Sequence, residues 1–444
     1  MPAGPLPRTR WRNWLGNETC DAPWAEPRGL DELASTVAAA TRLGPVRCVG
    51  RGTAWSGLVA TEGTLLSTAG LGRILELRLE DPEPSVVVEA GITVRALTAA
   101  LARRGFSLIG PTMFDDVTIG GALATGSHGL GFEAGTFADS VLALTLVDAA
   151  GNVHHFDRSE PATLALVKVS LGLLGAVYCA RLRVRPAAAV WVDEYTWPFE
   201  QLVTELPDLA RSYDHVQFMW FCQAGHAVVR GMRRVDGATL PAAPSKPRVP
   251  RWLHLLASTV HPATARLAPG LVPPMLRAAS RFADAARSWL GDPRTEFHLP
   301  EPPRAWSMAF GVPMDQLTAA LRASDEVARW RRRQIGDGPT FPFFARMVGA
   351  SDAPLAASYG RPTCFLESTM CPGSRDLAGY FDRLETELLA LPGVRPHWAK
   401  YMRRPDGALA RLAGIADFRR LRDTLDPGRH FTNRFCERLL QASV

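Results

Sequence analysis

The sequence predicts an α+β protein of two units, and three observations carry that reading. Up to about residue 190, short β-branched runs alternate with stretches of helical periodicity. After Pro186 the texture changes to aromatic-rich strands interrupted by a basic, proline-rich insert. Glycines gather where strands end and the chain must turn. At roughly 150 residues per domain, 444 residues make about three units or two large ones. Hydrophobic residues at 47%, charged residues at 21% and a mean hydropathy of -0.02 exclude disorder, collagen and heptad arrays.

Taken in order, Val46–Gly50, Ser85–Ala90, Val141–Ala149 and Val177–Arg185 read as strands, and Leu30–Arg42 and Thr93–Gly105 as helices. Asp148 to Asn152 forms a hairpin turn, because Gly151 and Asn152 tolerate positive φ. This half is expected to hold a mixed sheet. Beyond it, Trp191–Trp197 and His215–Val229 are strand-like. In the insert, Met275, Leu276, Ala279, Phe282, Ala283, Ala286, Trp289 and Leu290 fall at helical spacing with Arg277, Arg281 and Arg287 mainly opposite. Both a helix packed on its own domain and one lying on an anionic membrane or a partner fit that pattern. Strands resume at Trp306–Val312, Phe343–Val348 and Thr363–Thr369, and a helix over Asp417–Leu425 closes the chain. No internal repeat is visible.

The net charge of +6 is local: Arg230 to Glu296 holds eleven basic and four acidic residues, and the remainder is about neutral. Nucleic-acid binding has little support in such a distribution. Seven scattered cysteines with no C-x-x-C spacing read as reduced thiols of a cytoplasmic protein. The first residues lack the apolar core of an export signal, and no run of about 18 or more apolar residues occurs.

Two glycine loops carry the chemistry. Gly50-Arg-Gly-Thr-Ala-Trp-Ser56 follows the strand Val46–Val49 directly, where glycines let backbone amides approach phosphate oxygens. Asp116-Val-Thr-Ile-Gly-Gly-Ala-Leu-Ala-Thr-Gly-Ser-His-Gly129 offers amides and hydroxyls but few side chains for a core. Together they resemble the diphosphate cradle of the PCMH-type FAD-binding domain of the vanillyl-alcohol oxidase superfamily. Within it the chain resembles the sugar-1,4-lactone oxidase and alditol oxidase family almost end to end. The shared blocks are Trp11-x-Asn-Trp14, both loops, Leu173-Leu-Gly-Ala-Val177, Arg395-Pro-His-Trp-Ala-Lys400, Leu425-Asp-Pro and Phe431-x-Asn433.

The resemblance implies a two-domain flavoprotein: an FAD-binding domain over 11–188 and a substrate-binding cap over 189–444. The cap carries the basic insert at 230–300, and its end, from about 395 to 444, returns to the flavin. It implies that FAD rests on Gly50, Arg51, Gly52, Thr53, Ala54, Trp55 and Ser56, and on Gly120, Gly121, Ala124, Thr125, Gly126, Ser127 and His128. Val177, His397 and Asn433 complete the cofactor set. It also implies oxidation of an alcohol or hemiacetal carbon of a small molecule, hydride passing to flavin N5 and then to oxygen or another oxidant.

Two departures matter. Thr53 stands where the family carries the histidine bonded to the flavin, so the FAD is expected to be noncovalent. Phe344-Ala345-Arg346 stands where the family has Glu-x-Arg, while Glu367-Ser368-Thr369 replaces His-x-Thr on the next strand. Arg346, Lys400, Glu367, Thr118 and Thr369 are therefore the expected catalytic set. Glu367 is either a relocated base or the partner of a nearby arginine. Phe344 in a polyol-facing position points to a less polar substrate, since a sugar hydroxyl there loses a hydrogen bond worth roughly 1–3 kcal/mol. A flavin-binding protein without turnover is the remaining alternative, because both the tether and the glutamate are missing. His397 is a packed histidine or a flavin neighbour. No metal-ligand spacing and no G-x-S-x-G elbow occur. Arg329 and Arg331-Arg-Arg333 read as a solvated helix end.

Overall fold

A computed structural model of the chain describes residues 6–237, 260–281, 287–298 and 304–441. Three sheets organise it. The first runs β1 (Arg8–Arg12), β2 (Thr19–Ala25), β4 (Thr64–Ser67), β3 (Val46–Val49), with β4 parallel to both neighbours and β1 antiparallel to β2, so it is mixed. The second is antiparallel: β5 (Ile74–Arg78), β6 (Ser85–Glu89), β10 (Ala176–Pro186), β8 (Val141–Val147), β9 (Val153–Asp157), with β7 (Phe106–Leu108) on the far end of β10.

The third sheet uses only strands from residue 189 onward. Its order is β14 (Arg287–Gly291), β11 (Ala189–Pro198), β13 (His226–Val235), β12 (His215–Phe221), β16 (Phe343–Val348), β17 (Thr363–Met370), β15 (Trp306–Pro313), β18 (Arg395–Pro396). Strand alternation divides its side chains. Phe218, Trp220, Phe343, Phe310 and Leu366 join one core with residues of the helices Phe199–Ser212, Leu317–Ile335 and Leu377–Leu389. The other set, including Phe344, Arg346, Phe365 and Glu367, lies on the opposite face.

Several sequence expectations need correction. His215–Val229 is not one strand but most of a hairpin, because the chain turns between Phe221 and His226 with Gly225 at φ +75°. The amphipathic stretch is helical only over Val272–Arg281; residues 282–286 lie outside the described set, and Arg287–Gly291 is the edge strand β14. Tertiary charge explains the change: Glu194 of β11 is buried, and Arg287 and Arg230 both bond its carboxylate from the flanking strands. The helix Ile415–Leu425 does not close the chain, since Arg434–Leu440 forms another helix capped by Asn433.

Arg331 is not solvated. It is fully buried, pairs with Asp337 at 2.8 Å and donates to the carbonyl of Gly338, just past the helix end at Gly336, and to those of Arg375 and Asp376 at the start of the helix Leu377–Leu389. Arg331→Ala strands a buried carboxylate and is expected to lower unfolding free energy by about 3–5 kcal/mol in a denaturant titration, whereas exposed Arg333→Ala changes it by about 0.5 kcal/mol or less. Equal effects at the two sites would refute the burial argument.

Glu385, on the helix Leu377–Leu389, accepts the Arg403 amide at 3.1 Å and so fixes the segment just after Lys400; burial pushes its carboxyl up to about 7. The unfolded chain releases that proton near pH 4.5 and the folded one near 7. Stability is therefore lost as pH rises through this window. Glu385→Gln keeps an acceptor without the charge, so the variant should match the parent near pH 4.5 and melt higher at pH 8. Parallel melting curves at both pH values would contradict this assignment.

Candidate active site

A cleft opens where the two glycine loops meet. The first loop leaves β3, and the second enters the helix Ile119–Ala124, whose cap Thr118 accepts the Gly121 amide at 3.2 Å. These loops press together: a Cβ on Gly50 would sit 2.1 Å from Thr118 Oγ1, and Gly52 adopts φ +64°. Among the described residues the amides of residues 50–54 donate to no protein acceptor. Arg47 lies in the floor and gives its guanidinium hydrogens to carbonyls of Leu58, Leu171, Gly172 and Phe431, with no carboxylate among these partners. Free amides over an uncompensated cation are the donor set that a diphosphate needs.

Most of the expected cofactor set lines this cleft: Gly50 to Ala54, Gly120, Gly121, Ala124, Thr125, Ser127 and Val177. Thr118 lines it too, and its oxygen is engaged as a helix cap. Sequence reasoning missed Arg47, Cys48, Gly172, Gly175 and Ala399. The remainder hold the walls from behind. Ser56 Oγ donates to the Trp398 carbonyl at 2.6 Å, and Asn433 Nδ2 to those of Gly57 and Ala60 at 2.8 Å. Gly126 serves as a turn at φ +61°. Trp55 is fixed by its indole bond to the Ala305 carbonyl and carries Lys400 Nζ 4.2 Å above its ring.

Beside the cleft, strand register assembles a polar cluster. Phe344 opposes Glu367, which opposes Ala309; Arg346 opposes Phe365; Thr369 opposes Ser307. Directly opposed residues share a sheet face. The chain after β18 folds back onto β15 through the bonds from His397 N to Ala309 O and from Tyr401 N to Ser307 O, and this delivers Lys400. Lys400 Nζ lies 2.6 Å from Glu367 Oε1 and donates to Ser307 Oγ at 3.0 Å; the serine hydroxyl donates to the same carboxylate oxygen. Ser307 was not foreseen, and only its register opposite Thr369 signals it.

Electrostatics refine the expected roles. Burial alone would raise the Glu367 pKa, but Lys400 and Arg346 hold it down at about 2. Glu367 thus hydrogen-bonds a lysine rather than an arginine, and its Oε1 is engaged by Lys400 and Ser307. Arg346 is buried and has no hydrogen-bond partner among the described residues. Thr369 is half-buried next to this set.

His128 and His397 stand with this cluster, not in the diphosphate cleft, because packing on the cap sheet decides their place. His128 stacks on Phe365 with ring centres 3.6 Å apart and planes at 9°, and His397 is 5.5 Å away. Burial, with Arg346 and Lys400 nearby, keeps both rings neutral: His397 falls to about 3, and His128 lies well below the usual range.

Comparison with known proteins now places the chain. The D-arabinono-1,4-lactone oxidase family profile matches residues 180–439. The chain belongs to that family. An FAD-binding-domain profile matches residues 23–157. Family members with similar sequences include L-gulono-1,4-lactone dehydrogenase of Mycobacterium tuberculosis, 29% identical over 97% of this chain and 99% of that protein. L-gulonolactone oxidase of Scyliorhinus torazame is 24% identical over 97% and 98%. Among solved structures, a solvent-stable cholesterol oxidase superposes with a TM-score of 0.79 at 19% identity over 98% of both chains, a likeness of fold. The protein is an FAD-dependent oxidoreductase of the vanillyl-alcohol oxidase type that resembles the sugar-lactone oxidases. The cleft's residues fit that cofactor. No described helix is long and apolar enough to cross a membrane, and no cluster of three metal-binding side chains occurs among the described residues.

With Thr53 in the first loop and the Cys48 thiol pushed up to about 11 by burial, no activated nucleophile faces the cleft from these positions. Acid precipitation of the purified yellow protein should release all flavin as FAD into the supernatant. Flavin left in the pellet would reveal a covalent link.

Proposed function

We propose that this family member oxidises an alcohol or hemiacetal-type carbon of a small molecule. The observation that carries the reading is the buried, unpartnered guanidinium of Arg346 beside the Lys400–Ser307–Glu367 set. FAD in the cleft supplies the hydride acceptor, and oxygen or another oxidant restores it. The protein contributes charge and position. Arg346 and Lys400 against the one carboxylate of Glu367 leave the site net positive, which favours negative charge developing on the substrate oxygen or at the flavin. Glu367 and Ser307 hold the lysine ammonium over Trp55, so its remaining hydrogen is aimed rather than free to swing.

A second reading keeps this chemistry with a less polar substrate. Phe344 shares the site face with Glu367, so the wall on that side of the cluster is partly aromatic. An anaerobic panel separates the readings: rapid bleaching of the flavin by aldonolactones or alditols supports the sugar-type substrate and ends the second.

Arg346→Ala should slow flavin reduction about 100-fold or more, the usual effect of losing one preorganised donor. Lys400→Met should mainly weaken substrate binding. Stopped-flow reduction of both variants checks this, and an Arg346→Ala protein that reduces at the parental rate with a native spectrum would overturn the site assignment.

A further inference from the structure

The cluster holds cations and a carboxylate, yet an alcohol that loses hydride must also lose its hydroxyl proton, and its acceptor has not been named. Lys400 and Arg346 are donors only. Glu367 Oε1 is occupied twice, by Lys400 and by Ser307, so its charge is committed to holding the lysine. His397 Nδ1 accepts the Ala399 amide at 3.2 Å, so the ring's only lone pair is used and its proton sits on Nε2.

His128 has the opposite tautomer. Its Nδ1 lies 3.1 Å from the Gly129 carbonyl, an atom that can only accept, so the proton is on Nδ1 and the lone pair on Nε2. That Nε2 meets no protein partner among the described residues and is not among the buried atoms left unsatisfied, so it faces accessible space. Stacking on Phe365, the residue opposite Arg346, fixes the ring plane. Two neutral imidazoles 5.5 Å apart thus present complementary atoms: an Nε2 lone pair from His128 and an Nε2–H from His397.

We infer that His128 Nε2 accepts the proton of the reacting hydroxyl, which makes it a catalytic residue; the inference rests on the alcohol-oxidation reading above. The step balances within the site. The C–H bond breaks and its electron pair leaves as hydride to the bound FAD. The O–H bond breaks and its proton joins His128 Nε2. The carbon–oxygen bond becomes a carbonyl. As hydride departs, the hydroxyl takes on the acidity of a protonated carbonyl, so a weakly basic imidazole suffices, and one that is always neutral is always ready. Before reaction, the same geometry favours the reduced substrate: a lone pair accepts a hydroxyl hydrogen and repels a carbonyl or carboxylate oxygen.

The test has two arms on the holoenzyme. Long-range 15N–1H correlation on 15N-histidine-labelled protein should show His128 protonated at Nδ1 and His397 at Nε2; an Nε2–H tautomer at His128 overturns the proposal whatever the substrate. His128→Asn keeps a donor to Gly129 and removes the lone pair. It should retain FAD and its spectrum, bind substrate within about threefold of the parent, and reduce about 100- to 10,000-fold more slowly. Reduction at the parental rate overturns the proposal. If no alcohol or lactone bleaches the parent enzyme itself, the alcohol-oxidation reading fails and the inference falls with it, even where the tautomer agrees.

Discussion

One guanidinium ties the cofactor cleft together. Arg47 leaves β3 and bonds Leu58 O at 2.7 Å, Leu171 O at 2.7 Å, Gly172 O at 3.1 Å and Phe431 O at 2.5 Å, so the first loop, the segment after the second and the C-terminal stretch are registered on one planar group. Only arginine has donors in a fixed fork able to satisfy so many carbonyls at once. A buried cation without a carboxylate partner is costly. Its charge, met there by carbonyl dipoles alone, would favour an anion such as the diphosphate of FAD in the cleft.

The neighbouring cluster works on the contrary principle of balance. Glu367 is ionised because Lys400 and Arg346 surround it, and the histidines rest neutral because burial and those cations hold their pKa values down. Charge is thus spent where it must be fixed, and neutral nitrogens stand where hydrogen must be exchanged. Phe344 and Phe365 give this arrangement a dry wall, which strengthens every electrostatic interaction inside it.

What the sequence made legible was local. The glycine loops could be read because strand-end glycines with few core-forming side chains have a single physical use, and Glu367 and Thr369 could be placed on one face because strands alternate. What it hid was set by distant partners. Arg331 looks like part of an exposed basic run until Asp337 and three carbonyls enclose it. Arg287–Gly291 carries helical spacing but becomes a strand because Glu194 needs its arginine. His128 sits in a loop that otherwise serves the cofactor, and only its stack on Phe365 turns it toward the cap. Its tautomer depends on one carbonyl and leaves no trace in residue type.

The way the chain closes on itself also bears on when the enzyme can come to life. Ala399 lines the cofactor cleft, Phe431 meets Arg47 and Asn433 braces the first loop, although the residues they complete lie near position 50. A growing polypeptide folds its early segments first, while later ones are still inside the ribosome. The cradle is therefore incomplete until residues 399 to 433 have emerged and docked, which makes the cofactor site a late product of folding.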